Sequence, residues 1–177
     1  MKKTLLLLSL IILTVFGAEA QKARLGLKAG ANFANFDQAG NPDGKTGFHF
    51  GAYAELGAGG FSIMPELLFS TKGAKDVDLS YVEIPILLKK SFAKVLNFHV
   101  GPQFGFLTKA DFGGVDGKDF VKGTDVSAVF GVGVDLPGGL TAGGRYVLGL
   151  GDIDDTGSVE TKNKTFQIYI GYKLFGK

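Results

Sequence analysis

The sequence predicts an all-β fold, an eight-stranded antiparallel up-and-down transmembrane β-barrel. Three observations favour this fold: an N-terminal export signal, eight segments in which large apolar residues alternate with small or polar ones, and connections that are alternately short and long. Such alternation gives each strand one apolar and one polar face. Strands of about 9 to 11 residues are long enough to cross a bilayer when tilted.

Residues 1–20 have the pattern of a cleavable signal peptide. Met1-Lys2-Lys3 is a basic start, residues 5–16 are apolar, and Ala18-Glu19-Ala20 is a small-x-small cleavage site. The apolar stretch is shorter than the about 20 residues that a transmembrane helix needs. We therefore expect residues 1–20 to be removed and residues 21–177 to form the outer-membrane barrel domain, with a retained helical anchor as the alternative.

The composition of the remaining chain favours a single membrane domain and argues against nucleic-acid binding. Without the leader, 17 basic and 16 acidic residues remain, a formal net charge of +1, and no block of like charge is present. Glycine provides 28 of the 177 residues, well above the usual ~7%. The chain has no cysteine, which excludes disulfides, thiolate metal sites and a lipoprotein anchor.

The first four strands follow from their period-2 pattern. In the first strand, apolar residues such as Leu25, Leu27 and Phe33 alternate with Arg24, Lys28 and other residues. The first four segments span residues 24–33, 47–57, 61–70 and 81–88. The third and fourth contain Pro65 and Pro85, which lack an N–H group, so we expect a bulge or another irregularity at each.

The last four strands show the same alternation, most clearly in the fifth, where Phe98, Val100 and Phe104 alternate with His99 and other residues. These segments span residues 96–106, 125–135, 140–149 and 165–174. No segment after Gln21 has an apolar face at helical spacing.

The composition of the non-apolar set predicts which side faces the lumen. A soluble barrel of the lipocalin type also alternates, but its outer face carries many long polar side chains. Here the non-apolar set consists mostly of Gly, Ser and Thr with scattered charges, which suits the narrow interior of an eight-stranded barrel. The apolar set is then expected to face lipid.

The lengths of the connections predict the orientation. Short connections at 58–60, 91–94 and 136–139 alternate with long hydrophilic ones at 34–46, 71–80, 108–124 and 151–164. Outer-membrane barrels have short periplasmic turns and long external loops, which would place both termini in the periplasm. In this orientation a lipid-facing aromatic girdle is expected at the outer ends of the strands, with ordinary β-propensity as the alternative explanation for each aromatic residue. The predicted girdle consists of Phe33, Phe48, Phe69, Phe106 and Phe166.

The inward-facing phase contains charges of both signs. Buried charges are costly unless they are paired, so we expect a salt-bridged network that fills the lumen, with a catalytic role for the carboxylates as the alternative. The predicted lumen charge network consists of Arg24, Lys28, Glu55, Glu66, Glu83, Arg145 and Lys173. His49 and His99 share this phase, and we expect them to be hydrogen-bonded interior groups rather than ligands or bases.

No motif predicts a catalytic, cofactor-binding or metal site. Gly131-Val132-Gly133 lies inside a strand without a following helix, unlike a dinucleotide site. The segment beginning at Asp152 resembles a calcium loop, but its twelfth position is Asn163 instead of Glu. A weak calcium site there, or near Asp111, Asp116 and Asp119, is the alternative to a solvated loop.

Three segments carry a resemblance to a known family: Leu25-Gly26-Leu27-Lys28-Ala29-Gly30-Ala31-Asn32, Tyr81-Val82-Glu83-Ile84-Pro85-Ile86-Leu87-Leu88-Lys89 and Gly101-Pro102-Gln103-Phe104-Gly105. With them the chain resembles the PorT-type family of small outer-membrane β-barrel proteins, and it is similar to the OmpA and OmpX transmembrane barrels. The resemblance implies a fold and a membrane, since many members have no assigned activity. One departure is that Phe175 is followed by Gly176 and Lys177 and lies out of phase with lipid-facing Tyr172 and Leu174, whereas such barrels often end on an aromatic residue.

These observations favour a non-enzymatic integral outer-membrane protein with a filled polar lumen and a structural or loop-mediated role in the cell envelope. The expected partners are outer-membrane lipids, the barrel-insertion machinery and envelope proteins that bind the external loops. The alternatives are a narrow pore or a component of a secretion or uptake assembly, a lipid-modifying barrel enzyme, and a secreted lipocalin-like ligand-binding barrel.

Overall fold

The structure is a computed structural model that describes residues 22–36, 46–58, 60–74, 77–93, 95–112, 115–116, 123–150 and 163–176. The expected signal peptide, most of the segment considered for calcium, and Asp119 lie outside the described residues. Within the described part of the chain, no helix has the length and apolar character needed to cross a membrane.

Eight long strands form a closed antiparallel ring, as predicted. Together with one two-residue strand, β6, the strands in chain order are β1 Lys22–Phe36, β2 Thr46–Ala58, β3 Phe61–Ala74, β4 Val77–Phe92, β5 Leu96–Phe112, β6 Val115–Asp116, β7 Thr124–Asp135, β8 Leu140–Gly149 and β9 Asn163–Phe175. Their order is β4-β3-β2-β1-β9-β8-β7-β5, and pairing of β4 with β5 closes the barrel. The two-residue β6 pairs with the end of β5 and does not belong to the ring.

The barrel has two different ends. At the turn end lie the connections 58–61, 92–96 and 135–140, while the opposite, loop end carries the other connections. The turn-end connection 135–140 includes a short 3-10 helix at Pro137–Gly139. Gly60 and Gly138 have φ values of 81° and 82°, a backbone conformation that glycine adopts without steric cost.

The strands continue further towards the loop end than the apolar alternation predicts. The expected long connection at 71–80 is wrong in large part, because Thr71 pairs with Ser80 and Ala74 pairs with Val77 in a continuing β3–β4 ladder. Likewise, β5 extends to Phe112 instead of ending near residue 106. Backbone hydrogen bonds continue past the apolar segment because the ladder itself does not require alternating side chains.

Pro65 and Pro85 interrupt the ladder without changing its register. The β3–β4 pairing has a gap between Pro65↔Ile86 and Leu68↔Glu83, and the same register holds on both sides. The prediction of an irregularity at each proline is confirmed, but the irregularity is not a bulge. The missing N–H group of proline accounts for it.

The side chains follow the strand alternation, with apolar residues outside and mostly polar residues, together with a few apolar ones such as Leu87, inside. Leu27 is 52% exposed and Ile170 is 63% exposed, whereas their neighbours in sequence, Lys28 and Tyr169, are 3% and 5% exposed. This is the reverse of a soluble barrel, in which the apolar set is buried.

A β-bulge changes the predicted orientation of Phe175. Gly26 pairs with Lys173 while Leu25 pairs with Phe175, so one extra residue of β9 is accommodated between them. Phe175 therefore lies opposite outward-facing Leu25 and is 70% exposed. The expectation that Phe175 is out of phase with the outer face is wrong, because it assumed an uninterrupted period of two.

Candidate functional site

The middle of the lumen is filled by what we call the central cluster, Lys28, Glu66, Arg145 and Gln167. Glu66 accepts hydrogen bonds from Lys28 Nζ and from Arg145 Nη1, the latter at 2.7 Å. Arg145 Nε also donates to Gln167 Oε1 at 2.5 Å. All four side chains are buried, and the two cations against one carboxylate leave the cluster with a formal charge of +1.

Strands from opposite sides of the ring supply the central cluster. Lys28 lies on β1, Glu66 on β3 and Arg145 on β8, and none of these strands pairs with another of the three. The hydrogen bonds of Glu66 therefore cross the lumen. Tyr169 closes the cluster on one side, with its ring centroid 4.3 Å from Lys28 Nζ.

Glycines next to the long side chains provide the space for them. Lys28 pairs with Gly51 on β2 and Arg145 pairs with Gly131 on β7. A Cβ atom at Gly131 would overlap the ring of His99 and lie 2.8 Å from Arg145 Cβ. Part of the glycine excess in the sequence thus has a packing reason.

A second group, the turn-end cluster, consists of Arg24, Glu55, Lys89 and Asp135. Lys89 Nζ lies 3.2 Å from Glu55 Oε2 and 2.9 Å from Asp135 Oδ2. Glu55 also forms an ion pair with Arg24 at 3.5 Å. Together these contacts link β1, β2, β4 and β7 across this end of the barrel.

At the other end, the loop-end cluster is the buried pair Lys72 and Glu83. Lys72 Nζ lies 2.5 Å from Glu83 Oε1 and 5.4 Å from the centroid of the Tyr81 ring. Because Lys72 is on β3 and Glu83 is on β4, the pair joins two strands whose ladder continues beyond the apolar segments towards the loop end.

An open cavity at the turn end stops below the central cluster. This vestibule has a volume of about 640 Å³ and is lined in part by Arg24, Tyr53, Glu55 and Lys173. The next hollow inward, bordered by Lys28 among others, measures about 10 Å³. That volume is about the size of one water molecule, so the described lumen leaves no wide passage at this level.

The predicted lumen residues thus lie in these three clusters or beside them. Arg24 and Glu55 belong to the turn-end cluster, Lys28, Glu66 and Arg145 to the central cluster, and Glu83 to the loop-end cluster. Lys173 lies at the vestibule wall and is not brought into a cluster.

Sequence reasoning missed Lys72, Lys89 and Asp135 as members of the network. Lys72 follows Ser70 and Lys89 follows Leu87 in the inward phase, so extending the period-2 pattern by one more inward position in each strand identifies both. Asp135 lies in the inward phase at the end of β7, a position that the pattern already contained.

The two lumen histidines have separate polar contacts. His49 Nδ1 lies 2.7 Å from Asn32 Oδ1, and His99 Nδ1 lies 3.3 Å from Asn97 Oδ1. The ring of His99 is also edge-on to that of Tyr169, with the centroids 6.0 Å apart. Within the described residues, no three His, Asp or Glu side chains are grouped in a way that suits a metal ion.

The five phenylalanines of the predicted girdle lie towards the loop end on the outside of the barrel. The rings of Phe33 and Phe166 stack with their centroids 6.3 Å apart. The ring centroids of Phe69 and Phe50 are 5.5 Å apart. Phe48 and Phe106 are exposed, while Phe69 is half-buried.

Comparison with known proteins points to the same class of barrel. A family model described as outer membrane protein beta-barrel domain matches residues 19–155. No curated protein sequence matches the chain.

Among solved structures, Neisserial surface protein A (NspA) matches with a TM-score of 0.58 at 15% identity, covering 85% of this chain and 97% of that chain. Ail, the attachment invasion locus protein of Yersinia pestis, matches with a TM-score of 0.53 at 13% identity, covering 86% and 98%. A de novo designed transmembrane β-barrel matches with a TM-score of 0.51 at 11% identity, covering 85% and 95%. At these identities the solved structures show a shared fold.

Proposed function

Because the chain belongs to the family of outer membrane protein β-barrel domains, we propose that it is a non-enzymatic integral outer-membrane protein with a closed lumen. Its role is to stabilise the envelope or to present its loop end to a partner. The turn end faces the periplasm, residues 1–20 are a cleaved signal peptide, and the barrel-insertion machinery recognises the chain during biogenesis. The segment from Tyr81 to Lys89 supports placement of the chain in the PorT-type branch.

The central cluster is the observation that carries this proposal. Glu66 holds Lys28 and Arg145 across the lumen, and the vestibule ends beneath this layer. Opening a passage requires buried charges to separate, and an unpaired buried charge is strongly unfavourable. A barrel filled in this way acts as a rigid support more readily than as a conduit.

Conductance in planar bilayers tests the closed lumen. The positive control is a triple variant, Lys28→Ser, Glu66→Ser and Arg145→Ser, which removes the three charged side chains of the central cluster while leaving the turn-end and loop-end clusters in place. We expect steady ion conductance from the triple variant and none from the wild-type barrel. Wild-type conductance equal to that of the triple variant contradicts the proposal.

The vestibule favours one second candidate, a narrow pore or a component of a secretion or uptake assembly. A cavity of about 640 Å³ open at the turn end is large enough for a small solute. Conductance that appears in the wild type under an applied voltage, or co-purification of a stoichiometric envelope complex, supports this candidate.

Labelling of single cysteines tests the orientation, and the cysteine-free sequence makes the experiment simple. Gly123 at the loop end and Ala58 at the turn end are both exposed. We expect a membrane-impermeant maleimide to label Gly123→Cys on intact cells and to label Ala58→Cys only after the outer membrane is permeabilised. The reverse pattern means that the loop end faces the periplasm.

A further inference from the structure

The outer face of the barrel is not evenly covered by large apolar side chains. A groove of about 540 Å³ crosses strands β4, β5, β7, β8 and β9, with Lys90, Phe98, Val132, Gly144, Tyr146 and Phe166 among its lining residues. Nearly all of its exposed lining is apolar. Its volume lies within the range of about 300–1,000 Å³ that is usual for small-molecule sites.

The strand register explains the direction of the groove. One row of paired residues runs from Lys90 through Phe98 and Val132 to Gly144. A second row, two residues further along each strand, runs from Leu88 through Val100, Phe130 and Tyr146 to Phe166. The groove therefore rises from the turn-end part of β4 towards the loop-end part of β9.

Gly144 deepens the groove at its centre. It occupies an outward-facing position, where its cross-strand partners are Val132 and Ile168. A side chain at this position would have room, because the heavy atoms nearest to a Cβ atom built there are two ring atoms of Phe166, at 3.4 Å and 3.6 Å, and the carbonyl oxygen of Gln167 at 3.7 Å. Packing of the barrel wall thus leaves space for a larger residue at position 144.

Lys90 borders the turn-end limit of this apolar groove, and its ammonium group lies over a ring of the neighbouring strand β3. Its ammonium group lies 3.4 Å from the centroid of the Phe61 ring, and it follows outward-facing Leu88 in the same phase of β4. A lysine near the end of a membrane-spanning segment can extend its charge to the interface while its alkyl stem stays in the apolar layer. Phosphate groups of lipids lie at that interface, and a basic residue near it attracts anionic lipid.

We propose that this groove is a binding site for one glycerophospholipid with an anionic headgroup. The headgroup phosphate contacts Lys90, and one acyl chain lies along the groove over Gly144 towards Tyr146 and Phe166. The inference depends on the proposed membrane placement and adds a lipid class and a position on the barrel to it. Charge complementarity at one end and a continuous apolar lining along the remainder favour a lipid over a second copy of the chain.

Native mass spectrometry of the detergent-purified barrel tests the site. The probes are dioleoylphosphatidylglycerol, dioleoylphosphatidylcholine with the same chains, and glycerol 3-phosphate as a headgroup without chains. We expect one saturable phosphatidylglycerol adduct on the wild type and weaker binding of the other two. Lys90→Gln should weaken phosphatidylglycerol binding about fivefold, the effect of one basic residue near anionic lipid, while Lys90→Arg retains it.

A pair of matched variants separates the groove from the rest of the outer face. Gly144→Val fills the groove and should abolish the adduct, whereas Ala142→Val, on the same strand and face but outside the groove lining, should retain it. Equal binding of both lipids, equal binding of glycerol 3-phosphate, unchanged binding in Lys90→Gln, or a dimer that Gly144→Val dissociates overturns the proposal. A heat-dependent gel shift of each variant verifies that the barrel is folded, so failure of the lipid site is distinguishable from failure of the membrane assignment.

Discussion

Glu66 is the residue whose loss should most affect the interior, because both Lys28 and Arg145 depend on its carboxylate. Its side chain is fully buried, and that of Arg145 is as well. In such an environment the attraction between the partners offsets a large desolvation cost. Removing one partner leaves the other charge buried and its desolvation cost uncompensated.

We predict that Glu66→Gln destabilises the folded barrel by about 3–5 kcal/mol, the usual cost of breaking a buried ion pair from one side. The substitution retains the size of the side chain while leaving two buried cations without a counter-charge. Urea unfolding in phospholipid vesicles provides the measurement. Adding Lys28→Met to Glu66→Gln removes one of those cations and should restore part of the stability. Equal stability of wild type and Glu66→Gln contradicts the proposed role of the cluster.

Gly131 provides a second test of packing inside the barrel. We expect Gly131→Ala to destabilise the barrel by about 1–3 kcal/mol through overpacking, because the new methyl group would overlap His99, which is itself buried. Gly105→Ala is the matched control, since its Cβ atom would have no heavy atom closer than 3.5 Å. It should change stability by less than about 0.5 kcal/mol. Equal effects of the two substitutions in urea unfolding would show that space around His99 is not limiting.

At the residue scale, the sequence predicts which face a side chain takes but not its partner. The inward phase of Glu66 follows from period 2 alone. Its pairing with Arg145, 79 positions away in the chain, depends on which strands face each other across the closed ring and at what height. Lys72 and Lys89 were missed for a simpler reason, because the apolar alternation weakens before their strands end.

At the scale of elements, the β3–β4 hairpin differs most from the sequence prediction. The ladder includes Lys72↔Leu79 and Ala74↔Val77, within a stretch that the sequence analysis assigned to a connection. Apolar alternation indicates the part of a strand that contacts lipid, whereas hydrogen bonding between neighbouring strands continues into the part that lies in water. The alternation therefore predicts the extent of the apolar band more accurately than it predicts the ends of the strands.

We predict slow hydrogen exchange for the paired backbone amides in the loop-end part of the β3–β4 hairpin, residues 71–74 and 77–80. The buried pair of Lys72 with Glu83 should add to their protection by linking the two strands. Hydrogen–deuterium exchange followed by mass spectrometry in detergent micelles provides the measurement, with residues 63–69 of β3 as the protected reference. Exchange at the rate of an unstructured peptide would mean that this segment is a loop.

The final strand shows a different limit of pattern analysis. A single bulge between β1 and β9 changes the facing of Phe175, which lies opposite outward-facing Leu25. Such a bulge depends on the local pairing of two distant segments, and the sequence of β9 alone contains no signal for it.

At the scale of the whole molecule, the outer surface should behave as a lipid-facing surface. Ile170 lies near the middle of β9 and points outward, whereas Leu140 begins β8 at the turn end. We predict that Ile170→Lys costs about 2–4 kcal/mol and Leu140→Lys about 0–1 kcal/mol, because the penalty for a charge depends on its depth in the bilayer. Urea unfolding in vesicles measures both. Equal and negligible effects are expected only of a surface that faces water.

The membrane-barrel assignment is tested most directly by fractionation of cells that express the full-length chain, followed by semi-native gel electrophoresis of the detergent extract with and without boiling. We expect recovery in the outer-membrane fraction and a change in mobility on boiling, because a closed barrel remains folded in detergent until it is heated. Recovery as a soluble protein without detergent contradicts the assignment, because the apolar residues on the outside of this barrel would then have to face water.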